Sequence, residues 1–326
     1  MLILAAMYLI IYLLVPRSYY SETDYLLGKA AIERLDSGNI KGNLLIGDSK
    51  SQIGLNAHCL HAVNYSLAAS GPIEGYYEVR SLLQNKTNHI DTLFISYAVK
   101  HLIEPESFYW SSYRNQFING SYLDSAFHTA MRNNDQNFSL KTSAYTRFYD
   151  RMIDKPSISS KIRFAQSFIF GGTLNSIFDN LQKAYRHERI NGANQFINGR
   201  IIVMSSDTMT FIRQAGKPIG ENAPNATPSA TNDIYFQKIL DISKKFNVKV
   251  IFILMPSIQT NISSTLQNKK NYLKTFFGND FVCDTSVYDD NLFRDNAGHL
   301  NDRGVTRFQN FVTKKLYSSK STSTSQ

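Results

Sequence analysis

The run VKVIFILMP, residues 248–256, most narrows what this chain can fold into. Beyond Lys249 it is continuously apolar instead of alternating, which is the pattern of a strand buried on both faces, as in a helix-covered parallel sheet. A helical pattern, NDIYFQKILDISKKFN (232–247), leads straight into it. The same succession recurs along the chain. NLLIG (43–47) is a short buried strand bounded by Gly42 and Gly47. AVNYSL (62–67) is a second strand, followed by a helix that starts at Pro72 and runs through IEGYYEVRSLLQ. TLFISYA (92–98) and DFVCDTS (280–286) are further strands, and a last helix covers Arg303 to Tyr317. Strands alternating with helices predict an α/β fold: a flavodoxin-like three-layer α/β/α sandwich whose parallel sheet has the order 2-1-3-4-5.

That order separates the two cysteines. Cys59 precedes the strand at one edge and Cys283 lies in the strand at the other, so two free thiols are expected. The sandwich is expected to occupy residues 18–318 as one domain, interrupted at about 102–230 by a large, mostly helical insertion. A structureless loop of that length would be implausible, and LNSIFDNLQKAYRHER (174–189) is helix-like. NQFING occurs twice within the insertion, with no repeat of fixed period around it. SETDYLLGKAAIERLDSGN (21–39) reads as a helix capped by Ser21, and residues 319–326 as a disordered tail.

The first sixteen residues, MLILAAMYLIIYLLVP, carry no charge. They fall short of the roughly 20 residues that span a bilayer and match the apolar region of a signal peptide, but no small-residue cleavage site follows. Residues 1–17 are therefore expected to be an uncleaved signal anchor, with the rest of the chain on the periplasmic or exterior side. Arg17 would by itself favour the reverse orientation. The composition, 43% hydrophobic and 19% charged, excludes a disordered chain, and the net charge of +9 suits an acidic partner such as a glycan or lipid surface. No basic stripe interleaved with aromatics supports nucleic-acid binding.

The chemistry concentrates at two places. In LLIGDSKSQIGLN (44–56) a strand ends on Gly-Asp-Ser and turns into a helix, which puts Ser49 at the carboxyl edge of the sheet, where ligands of open α/β folds bind. The turn's N–H groups and the helix dipole favour negative charge there. A serine nucleophile needs a base, and LFRDNAGHLNDRG (292–304) supplies His299 with Asp295 upstream. IGDSKSQIGLN, NYSLAASGP and DNAGHLNDRG together resemble the SGNH (GDSL-type) hydrolase superfamily. The likeness is nearest to its membrane-anchored branch, which O-acylates exported polysaccharides and cell-wall polymers. It covers about 40–100 and 232–318 and leaves out the insertion.

The resemblance implies Ser49 as nucleophile, His299 as base and an oxyanion site near Asp48, Ala69, Ser70 and Gly71, with the backbone donor at Ala69. Two departures accompany it. Ala98 stands where the family usually has an oxyanion-binding asparagine. The usual Asp-x-x-His spacing would put Asn296, not Asp295, in the acid's place, so Asp295 on a longer loop is expected to orient His299, with a Ser–His dyad as the alternative.

No phosphate-cradling glycine motif occurs, and no cofactor is called for. His58, Cys59 and His61 lack a fourth ligand nearby, so no metal is expected either. The expected function is an envelope serine acyltransferase or esterase that acts between an acyl donor and a glycan acceptor, with a membrane partner delivering the acyl group. The alternative is a non-catalytic envelope protein that keeps the fold as a binding or scaffolding module. In the insertion, FYWSSYRNQF (108–117) is expected to be mainly core, with a carbohydrate-stacking wall as the other use of its aromatics.

Overall fold

The structure, a computed structural model, describes residues 35, 38–67, 70–103, 120–135, 138, 196–197, 200–201, 228–257, 264–293 and 298–317. The anchor segment, the Ser21 helix, the 108–117 aromatics, the 174–189 helix and the 319–326 tail lie outside these described residues.

In chain order the elements are β1 (Lys41–Gly47), α1 (Ser49–Gly54), a 3-10 turn (Ala57–Leu60), β2 (Ala62–Asn64), α2 (Pro72–Gln84), β3 (His89–Ser96), α3 (Val99–Ile103) and α4 (Gly120–Arg132). A hairpin of β4 (Phe196–Ile197) and β5 (Arg200–Ile201) follows, then α5 (Ala230–Lys245), β6 (Lys249–Leu254), α6 (Ser264–Phe277), β7 (Phe281–Cys283) and α7 (Asp302–Tyr317). The main sheet has the order β2-β1-β3-β6-β7, and every neighbouring pair is parallel. This is the expected α/β arrangement and strand order, with β6 and β7 as fourth and fifth strands.

Side chains alternate across the sheet, as the pleat requires. Leu44 and Ile46 of β1, Leu93 and Ile95 of β3, and Phe252 and Leu254 of β6 enter one core with α2, α5 and α6. Leu45, Phe94, Ile251 and Ile253 point the other way, into a core closed by Phe308 and Val312 of α7. Both faces are thus dry, which is why the strands read as continuous apolar runs.

Two strands stop earlier than the apolar runs suggest. β2 ends at Asn64, whose Oδ1 accepts the Ser66 N–H (2.8 Å) and turns the chain. β3 ends at Ser96, because the next backbone donors are drawn to the site described below. The first described helix of the insertion, α4, packs Tyr122, Ala126 and Phe127 against Ile73 and Tyr235. It is pinned beyond its end by Asp135, which accepts from Ser229 Oγ (2.6 Å) and Thr231 N (2.8 Å) at the start of α5. Cys59 and Cys283 are both free and belong to opposite edges of the sheet.

Candidate active site

Ser49 is the first residue of α1, directly beyond the carboxyl end of β1. Only glycine fits before this turn. A Cβ on Gly47 would collide with the Ser51 side chain and the Ser96 carbonyl, because β1 and β3 close tightly here. Asp48 caps α1 in an extended conformation, its side chain accepting the Lys50 N–H (2.9 Å). Ser51 Oγ donates back to the Asp48 carbonyl (2.9 Å), with Ser66 Oγ within hydrogen-bond distance (3.1 Å). The strand-to-helix turn is thereby fixed from both sides, and Ser49 is left half-buried at its apex.

His299 arrives from the other end of the chain. Phe293 and Leu300 form an antiparallel bridge, and Asn301 N donates to the Leu292 carbonyl (3.0 Å). The Asn301 side chain donates to the Asn291 carbonyl (2.7 Å) and accepts the Gly304 N–H (3.1 Å), which starts α7. Leu300 is buried in the core, so the alternation turns His299 outward, towards α1. Gly298 before it has φ +80°, a conformation that favours glycine, and a Cβ there would come within 3.4 Å of Lys50 Nζ. The result is a 2.9 Å contact between His299 Nε2 and Ser49 Oγ, across 250 residues of sequence. With Nε2 unprotonated, the Ser49 hydroxyl donates to it.

The expected site residues have distinct places. Residues 68–69 and 294–297 lie outside the described residues, and Ala69, Asp295 and Asn296 with them. Ser70 is fully buried, its Oγ donating to the Gly47 carbonyl (2.7 Å) and its N–H to the Leu67 carbonyl (3.1 Å). Gly71 N donates to Glu74 (2.9 Å) at the start of α2. These three donors serve the fold of the loop between β2 and α2.

Asp48 is also fully buried, and its carboxylate lies behind the serine. Besides Lys50 N, it accepts from Ala98 N (2.7 Å) and pairs with His101 Nδ1 (2.8 Å). Burial pushes its carboxyl up, but the hydrogen bond and charge of His101, the Ala98 N–H and the Lys50 charge together outweigh it and hold the group below the ordinary carboxylate range. His101, the first helical turn after β3, escaped the sequence reading. That reading noted only the alanine at 98, yet a histidine three residues beyond it faces the same edge and ties β3 to the serine turn. Its carbonyl also accepts from Asn232 of α5 (3.1 Å).

From the insertion, the backbone of β5 lies against α1. A separate cleft of about 590 Å³ opens between α3, α5 and α6, with the Asp233–Lys269 ion pair joining two of its walls; neither Ser49 nor His299 lines it. Among the described residues, no three His, Cys, Asp or Glu side chains gather in a way that could hold a metal ion.

No known protein family, curated protein or solved structure matches this chain.

Proposed function

We propose that this chain is a serine acyltransferase or esterase of the SGNH kind, built on a flavodoxin-like three-layer sandwich. The observation that carries this reading is the 2.9 Å contact of His299 Nε2 with Ser49 Oγ at the carboxyl edge of a parallel sheet. A non-catalytic scaffold has no need of that geometry, whereas a general base must come within such reach.

In the proposed reaction His299 takes the Ser49 proton as the oxygen attacks an acyl carbonyl. The oxyanion develops beside the N–H groups of Ser49 and Ala69. Collapse expels the leaving group, which receives the proton from His299, and leaves an acyl-serine. A glycan hydroxyl or water, deprotonated in turn by His299, then takes the acyl group. Asp295 is the proposed partner that orients His299, and Asp48 with His101 holds the turn instead of touching substrate. The 1–17 segment is the proposed anchor, with the catalytic domain on the extracytoplasmic side and a membrane protein supplying the acyl group. Among the described residues no helix is long and apolar enough to cross a membrane; the segment itself lies outside them.

The test is acyl transfer from an activated acetyl ester to polysaccharide fragments by the purified full chain in mild detergent. His299→Ala is expected to lower the rate about 10²–10⁴-fold, the usual contribution of a positioned base, and Ser49→Ala to reduce it to background. Full activity in Ser49→Ala would end the proposal.

A further inference from the structure

The edge of the sheet opposite Ser49 has a character of its own. In this topology the strands begin there and the helices that feed them end there: α5 runs into β6 through Phe246, and α6 into β7 through Phe277 and Gly278. Tyr317, at the end of α7, packs edge-on against His61 just before β2 (6.0 Å), so that helix ends on the same edge. Lys41, Lys244, Lys245, Lys274, Lys314 and Lys315 are all exposed along it. Asp280, just before β7, is paired with Lys249 (2.8 Å) on the same edge.

Lysines in the last turn of a helix also complement its dipole, which would account for several of these. The dipole does not account for large rings in water beside them. Phe246 is 42% exposed, Tyr272 48% and Phe276 50%, and the last two stack at 5.8 Å on one face of α6. Exposed aromatics set among lysines are the pattern of a surface that enters the headgroup layer of an anionic bilayer.

The path of the chain points to the same occupant. Leu35 is buried in the core on this side, and Ile40 is tied to the loop before β3 through Asn88 Oδ1 (2.8 Å) and His89 N (2.8 Å). The described fold is therefore entered from this edge, and only residues 17–34 separate it from the uncharged 1–16 segment.

We infer that this edge, through Phe246, Phe276 and the surrounding lysines, docks on an anionic lipid surface. The inference rests on the membrane anchoring proposed above but needs no part of the acyl chemistry. Docked this way, Ser49 faces away from the bilayer. The seven residues of β1, at about 3.3 Å each, set it roughly 23 Å above the lysine edge, within reach of a polymer but not of the acyl chains.

Tryptophan reporters test it in the full chain, reconstituted into phosphatidylcholine vesicles with or without phosphatidylglycerol and containing bromine-labelled acyl chains. Phe276→Trp and Phe246→Trp probe the edge. Val287→Trp, at a 58%-exposed position beyond β7, probes the opposite side. Each is read against the parent, whose one tryptophan is Trp110. Quenching of the edge reporters is expected to exceed that of Val287→Trp several-fold when phosphatidylglycerol is present. It should fall in high salt and in a Lys244→Glu, Lys245→Glu, Lys274→Glu variant. A vesicle-bound chain whose edge reporters are quenched no more than Val287→Trp overturns the docking and leaves the anchoring standing. A chain that stays in solution overturns both. Edge reporters unquenched in vesicles but shielded by a soluble anionic polysaccharide would show the surface to be a polymer site, which also overturns the docking.

Discussion

Removing the Asp48 carboxylate is the perturbation whose cost follows most directly from the structure. Its two oxygens serve the Lys50 N–H (2.9 Å), the Ala98 N–H (2.7 Å) and His101 Nδ1 (2.8 Å), and the side chain is fully buried. Asp48→Ala leaves two backbone donors without an acceptor in a place water does not reach. A buried orphaned donor costs about 1–3 kcal/mol. Two therefore cost about 4 kcal/mol, and the quarter-exposed His101 adds less because it can turn to solvent. That is a large part of the about 5–15 kcal/mol by which domains are usually stable.

His101→Ala removes one bond and should cost only about 1 kcal/mol, whereas His101→Asn, which can place an amide near the Nδ1 position, should recover most of it. Urea unfolding of the full chain in mild detergent, followed by circular dichroism, gives the three values. The ester-hydrolysis rate of each variant then shows whether Ser49 remains in place. If Asp48→Ala loses less than about 1 kcal/mol and keeps full activity, the carboxylate does not hold the turn, and the reasoning from burial and bond count fails.

Three further outcomes are expected. Gly47→Ala forces a methyl group against the Ser96 carbonyl and the Ser51 side chain, so it should cost about 3 kcal/mol or more, read as a lowered melting temperature; an unchanged melt would mean that β1 and β3 are not this close. In acid, Asp48, Asp135 and Asp284 share one sign: burial raises each carboxyl, but hydrogen bonds, joined by neighbouring charge at Asp48 and Asp284, lower it further. The stabilisation they supply is therefore present above the ordinary Asp value of about 3.9 and is lost as pH falls through the lowered folded-state values, so urea midpoints should hold steady from about pH 7 to 5 and drop below about pH 4; a fall between pH 7 and 5 would contradict this. Thiol titration of the denatured, unreduced protein should count two free thiols, since four strand spacings of about 4.8 Å keep Cys59 and Cys283 about 19 Å apart; a Cys59–Cys283 link found by peptide mapping would break the strand order.

The parallel sheet was legible because burial on both faces leaves a one-dimensional trace, the uninterrupted apolar run. Helix α6 left no such trace. STLQNKKNYLKTFF is mostly polar, with Leu273 fully buried, and seven polar residues in its first eight positions hide its apolar stripe. Ser49 and His299 were readable because each sits in a turn whose small and polar residues, Gly47, Asp48, Gly298 and Asn301, are there for backbone reasons that short-range sequence records. The His101 link was not readable. It joins residues 53 apart through a single hydrogen bond, and nothing local distinguishes a histidine that meets a buried aspartate from one that meets water. Ser70 shows the converse: its place beside the serine turn was anticipated, but not that its hydroxyl is taken up by the Gly47 carbonyl.

Covalent trapping shows whether Ser49 attacks an acyl carbonyl with His299 as its base. The full chain is mixed with p-nitrophenyl acetate, quenched in acid within the first turnover, digested and analysed by peptide mass. One acetyl group is expected on the peptide that contains Ser49, absent in Ser49→Ala and formed about 10²–10⁴-fold more slowly in His299→Ala. An acetyl group that appears elsewhere, or forms on Ser49 at the same rate without the imidazole, would contradict this mechanism.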